Sequence, residues 1–481
     1  QAPPSRKIFS FSMPFGSPAT IGTRLQSLRA RLKGEFEDSA TLQRESIRNK
    51  LSRQDSITTV EEEILFKDVN KLPDVKISAL VKAFIPKPTI LSQSELKPPH
   101  LRIYEELSGD VIIVGGWRGS ILRDVKTKRR VWIPVLKAGL NIKKIDLLLG
   151  PKDEDEINTT EKIYPDGILS HIGPVDISRK LMKLLESNPN ITLHNFGYDW
   201  RLSLDISSKT LFKKLQDIYS KNGNKPIMII AHSMGGIVSH SAMLQDPSLV
   251  RGIVYAGTPM PCPNVLGPLR YTDNILLSKD ILTSEVNFMM RSSFIFVPRS
   301  GELFKDKKTG ELINIDFFDP KNWVTYNLSP IVSSIRLRQE RGEILTEQWQ
   351  LNQPSKFAIS FDEAYDYLSR TLKRTLKFMD SIKYDPNVKL PPLAIVFGNT
   401  VPSVRYSLVS GKKGIIEGDY YNFFYSPGDG VALHKYIFPE VLGLDDGVVV
   451  GKFNSSNGHV ALLSDIESIG RALLSIVNEE E

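Results

Sequence analysis

The sequence predicts an α/β protein with a mainly parallel sheet, helices on both faces and an inserted cap. Three observations predict it. Short apolar segments recur, at Val111–Val114, Ile191–Phe196, Ile227–Ile230, Gly252–Ala256 and Leu393–Phe397. Several are unbroken runs rich in β-branched residues, the pattern of strands buried on both faces. Helical patterns at Ile177–Leu185 and Leu211–Ser220 separate them, which is the alternation of parallel crossover units. After Pro259-Met-Pro-Cys-Pro263 the alternation stops, and it resumes only at Leu393.

Taken in order, residues 1–64 are rich in Ser, Arg, Gln and Pro and read as a disordered tail. Residues 1–60 hold ten Lys/Arg against five Asp/Glu, so most of the chain's formal charge of +7 sits there. Ile21, Leu25, Leu28 and Leu32 share one helical face among Arg24, Arg29, Arg31 and Lys33, a pattern that suits an interfacial membrane helix. It equally suits a helix packed on the main domain or formed only transiently. Ser46 and Ser56 follow Arg44 and Arg53 at spacings that suit basic-directed kinases, which makes a phospho-dependent partner of the tail an expectation.

Residues 65–261 are expected to hold the first part of the core. The fold proper starts at Asp110, with the strand Val111–Val114, the glycine-rich Gly115-Gly-Trp-Arg-Gly-Ser120 and a helix or turn at Ile121–Asp124. Val131–Val135 and Ile145–Leu149 are further apolar segments. Residues 262–385 are expected to form the cap, with a helix at Phe361–Met379 and a turn at Lys305–Gly310. Its apolar groups Phe288-Met-Met290, Phe294-Ile-Phe296 and Phe317-Phe318 are expected to face an acyl chain. Residues 386–481 complete the core, with strands at Leu393–Phe397 and Gly447–Gly451 and a last helix over Leu462–Val477.

Composition narrows the function. Hydrophobic residues at 41% and charged residues at 24% of the 481 are ordinary for a folded soluble protein. No apolar run is long enough to span a bilayer, and no signal-peptide core stands near the start. The chain begins at Gln1 rather than Met, which leaves room for an upstream segment. The one cysteine, Cys262, cannot form an intrachain disulfide, so a reducing, cytoplasmic location peripheral to a membrane or lipid surface is expected. No basic and aromatic platform suggests nucleic acid. His and Cys never cluster at ligand spacing, so neither a metal nor a cofactor is expected.

The chemistry centres on Ala231-His232-Ser233-Met234-Gly235, a variant of the G-x-S-x-G elbow between a strand and an apolar helix. Small residues flank a nucleophile in such a turn because a larger side chain would clash. Ser233 is the candidate nucleophile; the plain alternative is a helix cap. In folds with this elbow the acid and then the His follow the Ser. Only His434 and His459 lie beyond the elbow helix, and His459, in a loop after the last expected strand, is the candidate base. His434 reads as structural, and His232 as packing beside the elbow. For the acid, Asp429 in Ser426-Pro-Gly-Asp-Gly-Val431 is favoured over Asp445 and Asp446, which read as a turn into the next strand. The backbone N–H groups of Met234 and Trp117 are the candidate oxyanion donors.

Val114-Gly-Gly-Trp-Arg-Gly-Ser-Ile-Leu122, Tyr198-Asp-Trp-Arg201, Ala231-His-Ser-Met-Gly-Gly236, Gly428-Asp-Gly-Val431 and a late His together resemble the lecithin:cholesterol acyltransferase family from about residue 110 to 475. The resemblance implies an α/β-hydrolase fold with a cap, a Ser233–Asp429–His459 triad and an acyl-serine formed from a glycerolipid. Gly115 replaces the family's Pro, and the disulfides of its secreted members cannot form here. Asp199 and Arg201 are expected to pair structurally, bracing the base of the cap. The expected function is a serine-dependent lipid acyl hydrolase or O-acyltransferase meeting its lipid substrate at a membrane or lipid surface. The alternatives are a soluble esterase or thioesterase on a smaller acyl substrate and a non-catalytic membrane scaffold.

Overall fold

The computed structural model describes residues 97–133, 147–172, 175–271, 273–275, 278–343, 359–420 and 422–480. The readings made for the tail, including the Ile21–Leu32 stripe, Ser46 and Ser56, lie outside the described residues.

Six strands form the central sheet: β1 (Gly109–Val114), β2 (Ile191–Phe196), β3 (Ile227–His232), β4 (Val250–Ala256), β5 (Leu393–Gly398) and β6 (Val449–Ser455). Their order is β6-β5-β4-β3-β1-β2, and every neighbouring pair is parallel. Helices cover both faces: α1 (Pro99–Glu106), α2 (Arg179–Glu186), α3 (Leu204–Lys221), α4 (Met234–Gln245) and α6 (Ile466–Asn478), while α5 (Phe361–Ser381) packs outside them against α3 and the turns at Arg291–Phe296 and Pro330–Val332. Alternate residues of one strand enter opposite cores, as the two-residue period requires. Val111 and Ile113 pack with Met228, Ile230, Leu181 of α2 and Leu473 of α6. Ile112 and Val114 pack with Ile229, Leu215 of α3 and Val238 of α4. That double burial explains why these strands read as continuous apolar runs.

This is the α/β-hydrolase architecture, and its topology positions the site. From β1 the chain adds β2 on one side, then returns to place β3 on the other. The loops after β1 and β3 therefore diverge at the carboxyl ends of adjacent strands, the crevice where open α/β sheets bind ligands.

Four expectations need correction. Ile121–Asp124 is neither helix nor turn: Ser120–Asp124 is a strand, paired antiparallel with Arg130–Trp132 and Ile163–Ile168. Ser120 and Leu122 are buried while Ile121 and Arg123 are only partly so, a period-2 signal too short to stand out in the sequence. The fold starts before Asp110, since Tyr104 of α1 is buried and its hydroxyl donates to Ile466 O at 2.7 Å. The edge strand begins at Val449 rather than Gly447. The last helix starts at Ile466, after a 3-10 turn over His459–Ser464.

The region from 262 onward has its own sheet. Phe304–Asp306 and Leu312–Ile313 form a hairpin around the expected turn, and Phe304–Asp306 pairs with Val401–Val409, which pairs in turn with Asn422–Gly428. Residues assigned by sequence to the cap and to the second part of the core thus share one sheet. The long strand escaped notice because its alternation breaks at a bulge between Val404 and Tyr406. Phe288 and Phe294, expected to face an acyl chain, pack against each other and Trp323, with Tyr367 of α5 against Phe288, in one buried cluster with Ile112 and Val114 of β1. Phe296 is edge-on to Trp117 at 5.7 Å. Among the described residues no helix is long and apolar enough to cross a membrane.

Candidate active site

Ser233 ends the turn from β3 into α4 with φ 53° and ψ −130°. A non-glycine residue held there costs on the order of 1–3 kcal/mol, so its surroundings must over-determine it. Its N–H donates to Ala256 O at 2.9 Å, and Thr258 Oγ1 donates to its carbonyl at 2.8 Å. The glycines after it are obligatory by close approach: a Cβ on Gly235 would lie 2.4 Å from Gly115 O, and one on Gly236 2.1 Å from Thr258 Oγ1.

His459 and Asp429 reach Ser233 from loops that follow strands. His459 Nε2 stands 2.9 Å from Ser233 Oγ. His459 Nδ1 stands 2.9 Å from Asp429 Oδ2. The other carboxylate oxygen, Asp429 Oδ1, accepts the N–H groups of Val431 and Ala432 at 2.9 and 2.7 Å. Gly430 turns the chain directly after the carboxylate, with φ at 103°, and its N–H donates to Ser403 Oγ at 2.8 Å. All three side chains are buried, which strengthens their mutual electrostatics. The tautomer follows from the partners: a carboxylate only accepts, so Nδ1 carries the proton and Nε2 is free to accept from Ser233.

His459, the candidate base, is pinned at both ends of its backbone. His459 N–H donates to Asp429 O at 2.8 Å. His232 Nε2–H donates to His459 O at 2.7 Å, and the two rings lie 4.9 Å apart. Sequence reasoning placed His232 beside the elbow but missed this bond; its only signal was the position before the serine. Burial holds His232 down at about 3, so it remains a neutral donor. Gly257 was also missed. With φ at 62°, it leaves space that a Cβ would take, 2.7 Å from Asp429 Oδ2.

The remaining candidates fall into two groups. Met234 opens α4, where first-turn N–H groups lack intrahelical acceptors and the helix dipole favours negative charge. Trp117 lies in the turn after β1, which touches the serine: a Cβ on Gly116 would be 2.6 Å from Ser233 Cβ. Asp199 and Arg201 form a buried two-point ion pair, Nε to Oδ1 at 2.9 Å and Nη2 to Oδ2 at 2.6 Å. Arg201 also donates to Leu147 O and Thr159 Oγ1, so it braces the 147–159 segment rather than residues 262–385. Its neighbours Tyr198 and Trp200 hold the turn after β1, by Tyr198 Oη to Gly115 O at 2.9 Å and Trp200 Nε1 to Ser120 O at 3.1 Å.

His434 instead bonds Pro427 O through Nδ1, and Asp445 accepts from Tyr384 Oη at the surface. Burial pushes the Cys262 thiol up, so no thiolate competes with Ser233. Among the described residues no group of three or more His, Cys, Asp or Glu is placed to hold a metal ion.

The chain is 43% identical to the uncharacterized protein YJR098C of Saccharomyces cerevisiae, over 99% of this chain and 80% of that protein. It is 26% identical to phospholipase A(1) LCAT3 of Arabidopsis thaliana, over 39% of this chain and 47% of that protein. A solved chain of the Tle4–Tli4 complex superposes with a TM-score of 0.47 at 14% identity, covering 77% of this chain and 98% of that one. The family profile described as lecithin:cholesterol acyltransferase matches residues 175–391, which include the elbow but stop short of Asp429 and His459. The chain belongs to the lecithin:cholesterol acyltransferase family.

Proposed function

We propose that this protein transfers acyl groups from a glycerolipid through a covalent acyl-serine on Ser233. The observation that carries the reading is the buried relay from Ser233 Oγ to His459 Nε2 and from His459 Nδ1 to Asp429 Oδ2, each at 2.9 Å. In the first step Ser233 Oγ attacks the ester carbonyl carbon and its proton passes to His459 Nε2. Asp429 holds the imidazole's orientation and offsets the charge it acquires. The carbonyl oxygen becomes an oxyanion, received by the N–H groups of Met234 and Trp117. Collapse expels the lipid alcohol, which takes the proton from His459. Water or a second alcohol then attacks the acyl-serine with His459 again as base, giving a free acid or a new ester and restoring Ser233.

A glycerolipid is favoured over a small ester by the family and by the large apolar region after β4, whose Phe296 reaches the turn beside Ser233. Contact with a lipid surface belongs to the same proposal, with the basic segment of residues 1–64 as a peripheral anchor. The test is incubation with labelled phospholipid vesicles, with and without diacylglycerol or sterol, followed by product analysis. Labelled fatty acid or a new acyl ester is expected from the native chain and from no Ser233→Ala sample. Turnover of short soluble esters with no action on vesicles would point to an esterase instead. Flotation of the full chain against one starting near residue 65 tests the anchor; equal flotation contradicts it.

A further inference from the structure

Arg118 occupies a position where its backbone is disfavoured. The chain turns sharply over residues 116–119, closed by Gly119 N–H to Gly116 O at 2.9 Å. Arg118 is third in this turn with φ at 61°, a place where glycine or asparagine is preferred. Glycines stand at 115, 116 and 119, yet the one residue in left-handed backbone carries a long cationic side chain. A side chain kept against its backbone preference points to a task for the side chain.

That side chain is buried, with partners for both terminal nitrogens and none for Nε. Nη1 donates to Asp273 Oδ2 at 2.5 Å and Nη2 to Asn287 Oδ1 at 2.8 Å. The guanidinium carbon lies 3.9 Å from the centre of the Trp117 ring. Asn287 is itself fixed, its amide donating to Leu282 O and Thr283 O. Trp117 reaches the same region: its Nε1 donates to Ser292 Oγ at 3.1 Å, and Ser292 Oγ donates to Trp200 O. Trp132 Nε1 donates to the Arg118 carbonyl at 2.8 Å. Asp273, Asn287 and Ser292 therefore hold the turn whose Gly116 touches Ser233.

We propose that Arg118 is a positioning residue, a latch through which Asp273 and Asn287 fix the turn at Trp117 for oxyanion stabilisation. This rests on the acyl-transfer reading. The turn is useful only where it meets the developing oxyanion, and a displacement of about 1 Å there can cost on the order of 10²-fold in rate. Arg118 touches no reacting atom. It acts through the backbone it anchors, with Asp273 and Asn287 as its receptors.

The test uses a long-chain fluorophosphonate, which reports the site without knowledge of the substrate. Ser233 Oγ bonds phosphorus, fluoride leaves, and His459 takes the hydroxyl proton, while the phosphoryl oxygen occupies the oxyanion position. Arg118→Gly removes the side chain and favours the same turn; Arg118→Lys keeps the charge but cannot form the fork. In both, labelling is expected to reach the native stoichiometry, with the labelling rate constant at saturating probe reduced about ten- to hundred-fold by Gly and less by Lys. An unchanged rate constant overturns the latch. So does reduced stoichiometry with an unchanged rate per labelled site, which marks a purely structural ion pair. Failure of the native chain to label Ser233 at all would instead remove the acyl-transfer reading and the latch with it.

Discussion

The two sides of Ser233 are held by different parts of the molecule. On the base side, His459 follows β6 of the central sheet while Asp429 follows Asn422–Gly428 of the second sheet, and the two are tied by His459 N–H to Asp429 O, His232 to His459 O, and the Val431 and Ala432 N–H groups to Asp429. On the acyl-oxygen side, the turn over residues 116–119 is held partly from outside the core, by Asp273, Asn287 and Ser292. The difference teaches that the proposed proton relay is closed by short backbone bonds where the two sheets meet, whereas the turn on the other side is held by long side chains. Placement of the acyl oxygen is proposed to depend on Asp273, Asn287 and Ser292, in the region after β4 where the substrate's apolar part is proposed to lie.

The largest expected effect sharpens the base side. Ser233→Ala should lower acyl transfer by on the order of 10⁵–10⁶ with the thermal midpoint nearly unchanged; a rate near native would mean that another group does the chemistry. Asp429→Asn should cost about 10⁴, because the imidazole loses its tautomer and orientation. If Asp445→Asn or Asp446→Asn has that effect and Asp429→Asn does not, the base side is misassigned.

A third substitution separates bracing from chemistry. Asp199→Asn leaves Arg201 buried beside a neutral partner and should cost roughly 3–5 kcal/mol in urea unfolding. Activity per folded molecule should stay within about twofold. A large loss of activity with little loss of stability would move this pair from scaffold to site.

His232→Leu is the smallest of these changes. Removing the donor to His459 O should cost roughly tenfold in turnover, the effect of one lost hydrogen bond at about 1–1.5 kcal/mol. It also carries a pH signature. Burial lowers His232 and His240 to about 3 from 6.5, so below pH 6.5 the unfolded chain binds protons that the folded chain refuses. Their effect on stability is absent well above pH 6.5 and grows as pH falls toward 3. Between pH 6.5 and 5.5 each should remove about 1 kcal/mol, and His232→Leu should abolish one of the two losses. An unaltered acid slope in the variant would contradict the buried neutral His232.

The base side was legible in the sequence and the acyl-oxygen side only half so. Strand, small residues and helix frame Ser233 in a contiguous pattern, and chain order narrowed the base to His434 or His459. Asp429 stood out by its flanking glycines. The supports were hidden because they are long-range: His232 meets a carbonyl 227 positions away, and Arg118 meets Asp273 across 155 positions. Neither local propensity nor periodicity carries such pairings. The strand Ser120–Asp124 was missed for a related reason, since its alternation is five residues long and only its partners make it a strand.

The central claim is an acyl-serine at Ser233, and its most direct test is intact-protein mass spectrometry after a brief exposure to a phospholipid of defined acyl chains, quenched in acid. The account predicts a mass increase of one acyl group, mapped by peptide analysis to the segment containing Ser233, enhanced when deacylation is slowed and absent in Ser233→Ala. An acyl adduct on another residue, or lipid turnover with no adduct at any quench time in a chain that survives Ser233→Ala, would contradict it.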